Sequence, residues 1–537
     1  VVLRALRQAL QAAEDQEEGV DKPPFFGLKY LFQIKISNMN KTMGLILLCL
    51  GAFFYTPSTF AQISPGSFGY YDEALRFSRF NYGGTARMLG IGGAQTALGA
   101  DISNAALNPA GLGLFRSTQL SFTGGMTFYN SESSFRGFSS DRPFSNFSMP
   151  QIGLVINNTK DDIQLGKWRG GNWAINFSRI NDMRNEFGYR GLNLDNSILD
   201  YFIERADGIP LSQIGNAGLI TRAYDTYLIN PVPGFDDLYD SFILGFPEQI
   251  ETVTVNGRID QFSLAYGGNY DNRLFFGAGL GVNSVRYNNN KSYRENFDNE
   301  PLLFLNTFEE IDISGTGVNF NAGVMARLND NVRIGASIIS PTWYNLTEEF
   351  SNGIRAVYDN YYYPEGDTTL RDITSLSDLF LTDYSLATPW RVNGGISVIV
   401  GKNGFISADV EWVDYSRLNL RSDQIDMFAD NQTINNLYKS TLNFRVGGEY
   451  RYDIFRFRGG YSYYQDPTTI EDDINRNITN ISGGLGIRLQ SYYVDLAVVH
   501  GSTENAHRPY TLANGGEPLS IQRDRNTRAF ITVGFTF

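Results

Sequence analysis

From about residue 117 to its end the chain is written in segments of roughly ten residues whose apolar side chains fall at every second position. A period of two sends successive side chains to opposite faces of a strand, and about ten residues is the length at which a tilted strand crosses a bilayer. The last segment is the plainest: over 527–537, Ala529, Ile531, Val533, Phe535 and Phe537 point one way, and Thr532, Gly534 and Thr536 the other. Leu442, Phe444, Val446 and Tyr450 alternate in the same manner with Asn443, Arg445, Gly447 and Glu449. So do Ile406, Ala408, Val410 and Trp412 with Ser407, Asp409 and Glu411, and Phe455, Phe457 and Tyr461 with Arg456, Arg458 and Ser462. An apolar face toward lipid and a charged face toward a lumen accounts for all four, because a charge held in hydrocarbon costs several kcal/mol. Alternation alone also fits a soluble sandwich with its apolar face inward.

Composition and connections weigh toward the barrel. The 537 residues include 39 Phe, 31 Tyr and 55 Gly with only 19% charged residues, a mixture suited to pleated strands and glycine-rich turns. Fourteen strands are expected, near 117–129, 149–158, 171–181, 258–269, 273–287, 312–328, 331–343, 388–400, 404–415, 441–452, 454–464, 478–489, 492–500 and 527–537. Tight turns at 270–272, 329–330, 401–403, 453 and 490–491 alternate with long connections at 182–257, 288–311, 344–387, 416–440 and 501–526. Short periplasmic turns and long external loops are the pattern of an outer-membrane barrel, and an even count leaves both ends of the strand series on the periplasmic side. The expectation is an all-β, antiparallel, fourteen-stranded transmembrane barrel over 117–537, multi-pass in the outer membrane of a Gram-negative bacterium.

Upstream, 43–55 is the only long apolar run and is too short for a transmembrane helix. With Met39, Lys41 and a small-residue site ending at Ala61 it reads as a signal peptide over 39–61, the mature chain starting at Gln62. Residues 1–38 read as an extension from a mis-set start, an amphipathic helix over 4–15 being the weaker alternative. The single cysteine, Cys49, lies in the signal core behind Leu48, which argues against lipidation and leaves the mature chain without thiol chemistry. A formal charge of -13 opposes a nucleic-acid partner.

A fourteen-stranded ring is wider than its own side chains can fill. Residues 62–116, irregular but carrying Met88, Leu89, Ile91, Leu98, Leu107, Leu112 and Leu114, are the natural candidate for a plug. Within them the run from Ala86 to Ala94, then Ala97, Asp101 and Asn108-Pro109-Ala110-Gly111-Leu112, resembles the N-terminal hatch of the FadL/TodX outer-membrane transport family, and the resemblance extends over 62–537. Asn108, Pro109, Ala110 and Gly111 form a compact turn on their own chemistry: Pro109 fixes φ, Asn108 can bond nearby backbone and Gly111 tolerates positive φ. The glycines at 90, 92 and 93 lack the strand–helix frame of a phosphate loop, and Gln95 stands where a third glycine belongs.

The resemblance implies transport of a hydrophobic small molecule, fatty-acid-like or aromatic, captured at the external loops, held above the hatch and released sideways into the membrane. Sideways release needs broken strand pairing, for which Pro150, Gly170 and Gly171 are candidates beside a plainer role as strand starts. In the loop 182–257 a helix capped by Asn196 and ended by Gly208 and Pro210 presents Ile198, Leu199, Phe202 and Ile203, which either pack on other loops or line a hydrophobic access groove. The terminal Phe537 resembles the signal read by the barrel-assembly machinery, and outer-membrane lipid is the surrounding partner.

Other functions fit less well. His500 and His507 are the only histidines and no Gly-x-Ser-x-Gly or His-Glu-x-x-His is present, so no catalytic residue is assigned. The inward Asp409, Glu411, Arg445, Glu449, Arg456, Arg458 and Asp495 read as a lumenal ion-pair network. Two loop histidines offer little for a haemin receptor, and the acidic pairs lack calcium-loop spacing, so neither cofactor nor metal is expected. A diffusion porin conflicts with an apolar plug. An extracellular binding or shuttle protein of a secretion system, similar to PorV, stays open.

Overall fold

The computed structural model describes residues 69–80, 83–160, 166–216 and 218–537. The signal peptide and the extension before it fall outside the described residues. Fourteen strands run in sequence order: β1 Gln119–Phe135, β2 Phe138–Thr159, β3 Trp168–Asp182 continued by Asn185–Leu192, β4 Glu248–Tyr270, β5 Leu274–Asn296, β6 Leu302–Arg327, and β7 Val332–Ile339 continued by Trp343–Tyr363. They go on with β8 Thr368–Leu376, Phe380–Ala387 and Arg391–Val400, β9 Gly404–Asp414 continued by Asn419–Arg421, β10 Ser440–Tyr452, β11 Phe455–Tyr464, β12 Ile478–Arg488, β13 Tyr492–His507 and β14 Ser520–Thr536. Each pairs antiparallel with the next, and β14 pairs with β1 (Leu120 opposite Phe535, Phe122 opposite Val533), so the ring closes as the alternation and parity require.

The strands run further than their apolar alternation suggests. The connections expected at 288–311, 344–387 and 501–526 narrow to the gaps between Asn296 and Leu302, Tyr363 and Thr368, and His507 and Ser520. Residues 130–148, left between the first two expected strands, continue both to a two-residue turn at Arg136 and Gly137, each with positive φ. The reason is an inversion of polarity along single strands. On β5, Phe276, Ala278, Leu280 and Val282 face outward, while Gly281 and Asn283 turn inward. Beyond this band Ser284, Arg286, Asn290 and Ser292 face out, and Val285, Tyr287 and Tyr293 are buried inside. Past the bilayer the outer face meets water, so apolar residues move inward as in a soluble sheet.

Exposed Trp343, Trp390 and Trp412 mark the upper edge of the apolar band on β7, the β8 segment junction and β9. At the same level Pro341 and Pro389 interrupt β7 and β8, and Thr342 and Thr388 rejoin the wall through hydrogen bonds between them. The insert between β3 and β4 caps the external end with helices Ile198–Ala206 and Leu219–Asp225. Helix Phe428–Leu437 lies between β9 and β10.

Candidate functional site

The segment before β1 lies against the inner faces of the strands. It comprises a helix Tyr70–Ser78, a short helix Ala86–Gly90, a further turn Asn104–Leu107 and a 3-10 turn Pro109–Leu114. Thr85 caps the second by accepting from Met88 N (3.2 Å) and donates to Asp101 Oδ2 (2.8 Å), while Ser103 Oγ accepts from Thr85 N (3.1 Å). Asn108 accepts from Ala110 N (3.2 Å) and donates to Thr96 O (2.6 Å), which is the backbone bonding its position suggested. Gly111 is not among the glycines at positive φ, contrary to expectation; it is small because a Cβ there would sit 2.7 Å from the Asn104 side chain. Positive φ in this segment falls on Gly69, Gly92, Gly93, Gly99 and Ala100.

The wall is shaped to receive this segment. Inward glycines on successive strands bring backbone against backbone, so that a Cβ added at Gly267 or Gly277 would lie 2.4 Å from Pro109, at Gly335 2.2 Å from Thr96 O, and at Gly447 2.1 Å from Ile91 O. At Gly323 it would fall 1.9 Å from Asn108 Oδ1. Glycine within a strand marks such close approach, and here it seats the segment around much of the ring.

Polar bonds complete the seat. Asp409 Oδ2 accepts from Gln95 N, Thr96 N and Thr96 Oγ1, each at 2.8 Å. Asn321 Nδ2 donates to Ala105 O (2.9 Å) and Asn172 Nδ2 to Leu112 O (2.7 Å). Arg458 is bonded at 2.8 Å both to Glu449 and to Asp495, and Arg87 of the segment stands 3.9 Å from Glu449 and 3.8 Å from Asp101. Arg391 pairs with Glu411 at 3.2 Å and donates to Ser78 O. Arg445 bonds Asn393 (2.7 Å), whereas Arg456 turns back to carbonyls of its own turn, Asp453 and Phe455, and stays out of the network. A cavity of about 30 Å³ beside Met88, Gly93, Arg445 and Arg528 has room for only a water or two.

Pro150 lies at a break in the wall. The β2–β3 ladder runs from Thr159 opposite Gly170 up to Gln151 opposite Ser178 and stops there, although both strands continue. Across the gap Gly83 donates to Arg179 O (2.7 Å) beside Pro150, and Asn181 Nδ2 donates to Arg79 O (2.7 Å). The N-terminal segment thus takes up hydrogen bonds that a neighbouring strand would otherwise make. The slot ends above at the Arg142–Glu186 pair (3.8 Å) and the Phe135–Tyr189 ring contact (4.5 Å). Gly170, at positive φ, and Gly171 sit within the intact ladder at its periplasmic end, where they mark a strand start and a register shift against β4.

In the external cap the helix Ile198–Ala206 is capped by Ser197 and not by Asn196: Ser197 Oγ accepts from Leu199 N (3.1 Å) and Asp200 closes the box on Ser197 N (2.8 Å). Asn196 instead bonds Tyr510 and Gly516. Ile198, Leu199 and Phe202 are buried in a core with Tyr293, Leu305, Ile354 and Tyr510, and Ile203 packs at its edge, so these side chains pack on other parts of the cap. Sequence reasoning missed Glu295, which is buried above the apolar band and accepts from Ile198 N (2.9 Å), Gln249 (2.8 Å), Tyr293 (2.6 Å) and Ser197 Oγ. Burial pushes its carboxyl up to about 7 against those donors. Both histidines lie on β13: His500 faces outward beside Thr527 (2.9 Å), and His507 is buried against Glu251 (2.8 Å).

Comparison with known proteins agrees with this architecture. The family model described as outer membrane protein transport protein (OMPP1/FadL/TodX) matches residues 245–479. No curated protein matches at the sequence level. Among solved structures, a Pseudomonas aeruginosa FadL homologue is 13% identical with a TM-score of 0.53, over 85% of this chain and 98% of that one. The P. putida toluene transporter TodX is 13% identical with a TM-score of 0.48, over 85% and 99%. The Ralstonia pickettii toluene transporter TbuX is 15% identical with a TM-score of 0.45, over 85% and 98%. At such identities the likeness is one of fold, and the first of the three carries it.

Proposed function

We propose, from the match of residues 245–479 to the FadL/TodX outer-membrane transport model, that this chain moves a fatty-acid-like or aromatic molecule from the cell exterior into the membrane through the slot between β2 and β3. The observation that supports this reading is that a segment of the lumen, and not a strand, closes that slot: Gly83 bonds Arg179 O, and Asn181 bonds Arg79 O. Such bonds can be given up without unpairing the barrel, since each net contributes only about 1 kcal/mol. An apolar molecule gains by passing from the lumen into hydrocarbon, at roughly 25 cal/mol per Å² removed from water. Withdrawal of Arg79 and Gly83 from the wall is the gating step, and the packed turn at Asn108–Gly111 holds the rest of the segment in place while it occurs. Capture takes place at the external cap, whose helices rest on a packed core.

The test is a pair of cysteines, Arg79→Cys with Asn181→Cys, bridged by a short dithiol reagent in a chain whose single native cysteine, Cys49, is replaced by Ser. Bridging is expected to abolish uptake of radiolabelled oleate or toluene by whole cells, with recovery on cleavage of the bridge. Uptake that continues unchanged through the bridged protein refutes the route.

A further inference from the structure

On the bilayer-facing side of the barrel, away from the slot, a groove of about 590 Å³ crosses β5 to β8. Its floor is a diagonal of small side chains. Ala278 stands opposite Ala322, and Ala336 is paired with Val324 on the neighbouring strand. Four strands at their usual spacing give it a length of roughly 14 Å. Phe276 and Val324 form one bank, Ile338 and Val392 the other, all exposed on the outer face.

The wall is thin here from both sides. Inward, Gly277 and Gly323 carry no side chain, and Pro109 and Asn108 occupy the space where their Cβ atoms would be. Outward, alanines stand where most of the band carries Phe, Leu or Val. Surfaces in condensed matter lose dispersion contacts when a concavity is left unfilled, so the outer hollow calls for a complement as much as the inner one does. The lining is almost wholly hydrocarbon and sits inside the apolar band, which selects a chain of methylenes and not a polar headgroup. Its lower mouth selects the leaflet: Phe276 and Val324 lie close above the short turns at 271–273 and 328–331, and from them the groove rises to Val392, two residues below Trp390, so that a chain entering from the periplasmic side runs up its length.

We infer that this groove is a binding site for one acyl chain of a phospholipid of the periplasmic leaflet, which braces from outside the stretch of wall that seats Asn108 and Pro109 from inside. The occupant is a resident lipid and is separate from any transported molecule.

Native mass spectrometry of protein extracted from bacterial outer membranes and exchanged into detergent without added lipid reads the site directly. One phospholipid per barrel is expected on the wild type, with at least a fivefold loss of occupancy in Ala322→Leu/Ala336→Leu, which fills the floor. Val498→Leu, on the outer face of β13, is expected to keep full occupancy. Heat-dependent gel mobility establishes that each variant is folded, and Ala322→Val alone provides a milder filling if the double variant is not. A wild type free of phospholipid, equal retention in the filled variant, or equal loss at Val498 overturns the inference. So does a two-barrel species that the filled variant abolishes, since the groove would then receive a second copy of the chain.

Discussion

Strand β5 carries two opposite patterns end to end. In its lower half Leu280 and Val282 face out and Asn283 faces in; in its upper half Arg286 and Asn290 face out and Tyr287 and Tyr293 face in. The same backbone therefore belongs to a membrane barrel below and to a water-facing sheet above, and the two halves hold their interiors by different means. The lower interior is filled by a separate segment through glycine contacts, carboxylates and amides, among them Gly323, Asp409 and Asn321. The upper interior is apolar: Tyr287 packs with Leu75 and Phe77 of the same segment, and Tyr293 with the cap helices. Lipid removes the penalty on outward apolar residues, which leaves the lower lumen free to be polar; water restores it above.

The comparison is broken or sharpened by four predictions. The largest effect is expected in the lower lumen: Arg458→Met removes two charge-assisted hydrogen bonds and leaves Glu449 to Arg451 and Asp495 to Arg488, a loss of about 3–5 kcal/mol in urea unfolding of the vesicle-embedded protein. Next comes the outer face of β5, where Leu280→Arg costs about 2–4 kcal/mol and Ser292→Arg, further along the same face, almost nothing. Equal costs at the two sites would mean that the polarity switch does not mark the edge of the bilayer. Gly323→Val forces a side chain into Asn108 and is expected to cost about 1–3 kcal/mol and to open residues 84–116 to protease while the barrel stays intact.

The smallest effect lies in the cap and depends on pH. Glu295 is raised from 4.5 to about 7 by burial, so the folded cap binds a proton more readily than the unfolded chain between those values. Its contribution is full at acid pH and is lost as pH rises through about 7. Hydrogen exchange of the Ile198–Ala206 helix should quicken between pH 5 and 8 beyond the intrinsic rate, and Glu295→Gln should flatten that dependence. A dependence that survives in the Gln variant assigns the titration to another group.

Legibility followed the range of the interactions involved. Alternation at Leu442–Tyr450 or Ile406–Trp412 is a property of one strand, and it placed those strands and their lipid faces correctly. The inverted upper halves carry the same period with the opposite meaning, so alternation with an outward apolar face puts Tyr293 in a loop and Tyr287 at the end of its strand. The Asn108 turn was readable because its hydrogen bonds are local. Its seat was not, since Gly323, Gly335 and Gly447 look in sequence like ordinary strand glycines until the segment lies against them. Pro150 was legible as an interruption, but that the gap is closed by Gly83 and Asn181 depends on which strands happen to stand beside each other.

What the sequence determined by itself was the strand count, the antiparallel order, the lipid-facing band and the presence of a turn-rich segment ahead of the barrel, all consequences of a two-residue period and of short-range turn chemistry. Only the tertiary structure decided the join of β14 to β1, the slot between β2 and β3, and the clasp of Asp409 on Thr96, 313 residues away. Closing a ring brings residues together according to register and curvature around the whole barrel, and neither quantity is recorded in any single strand.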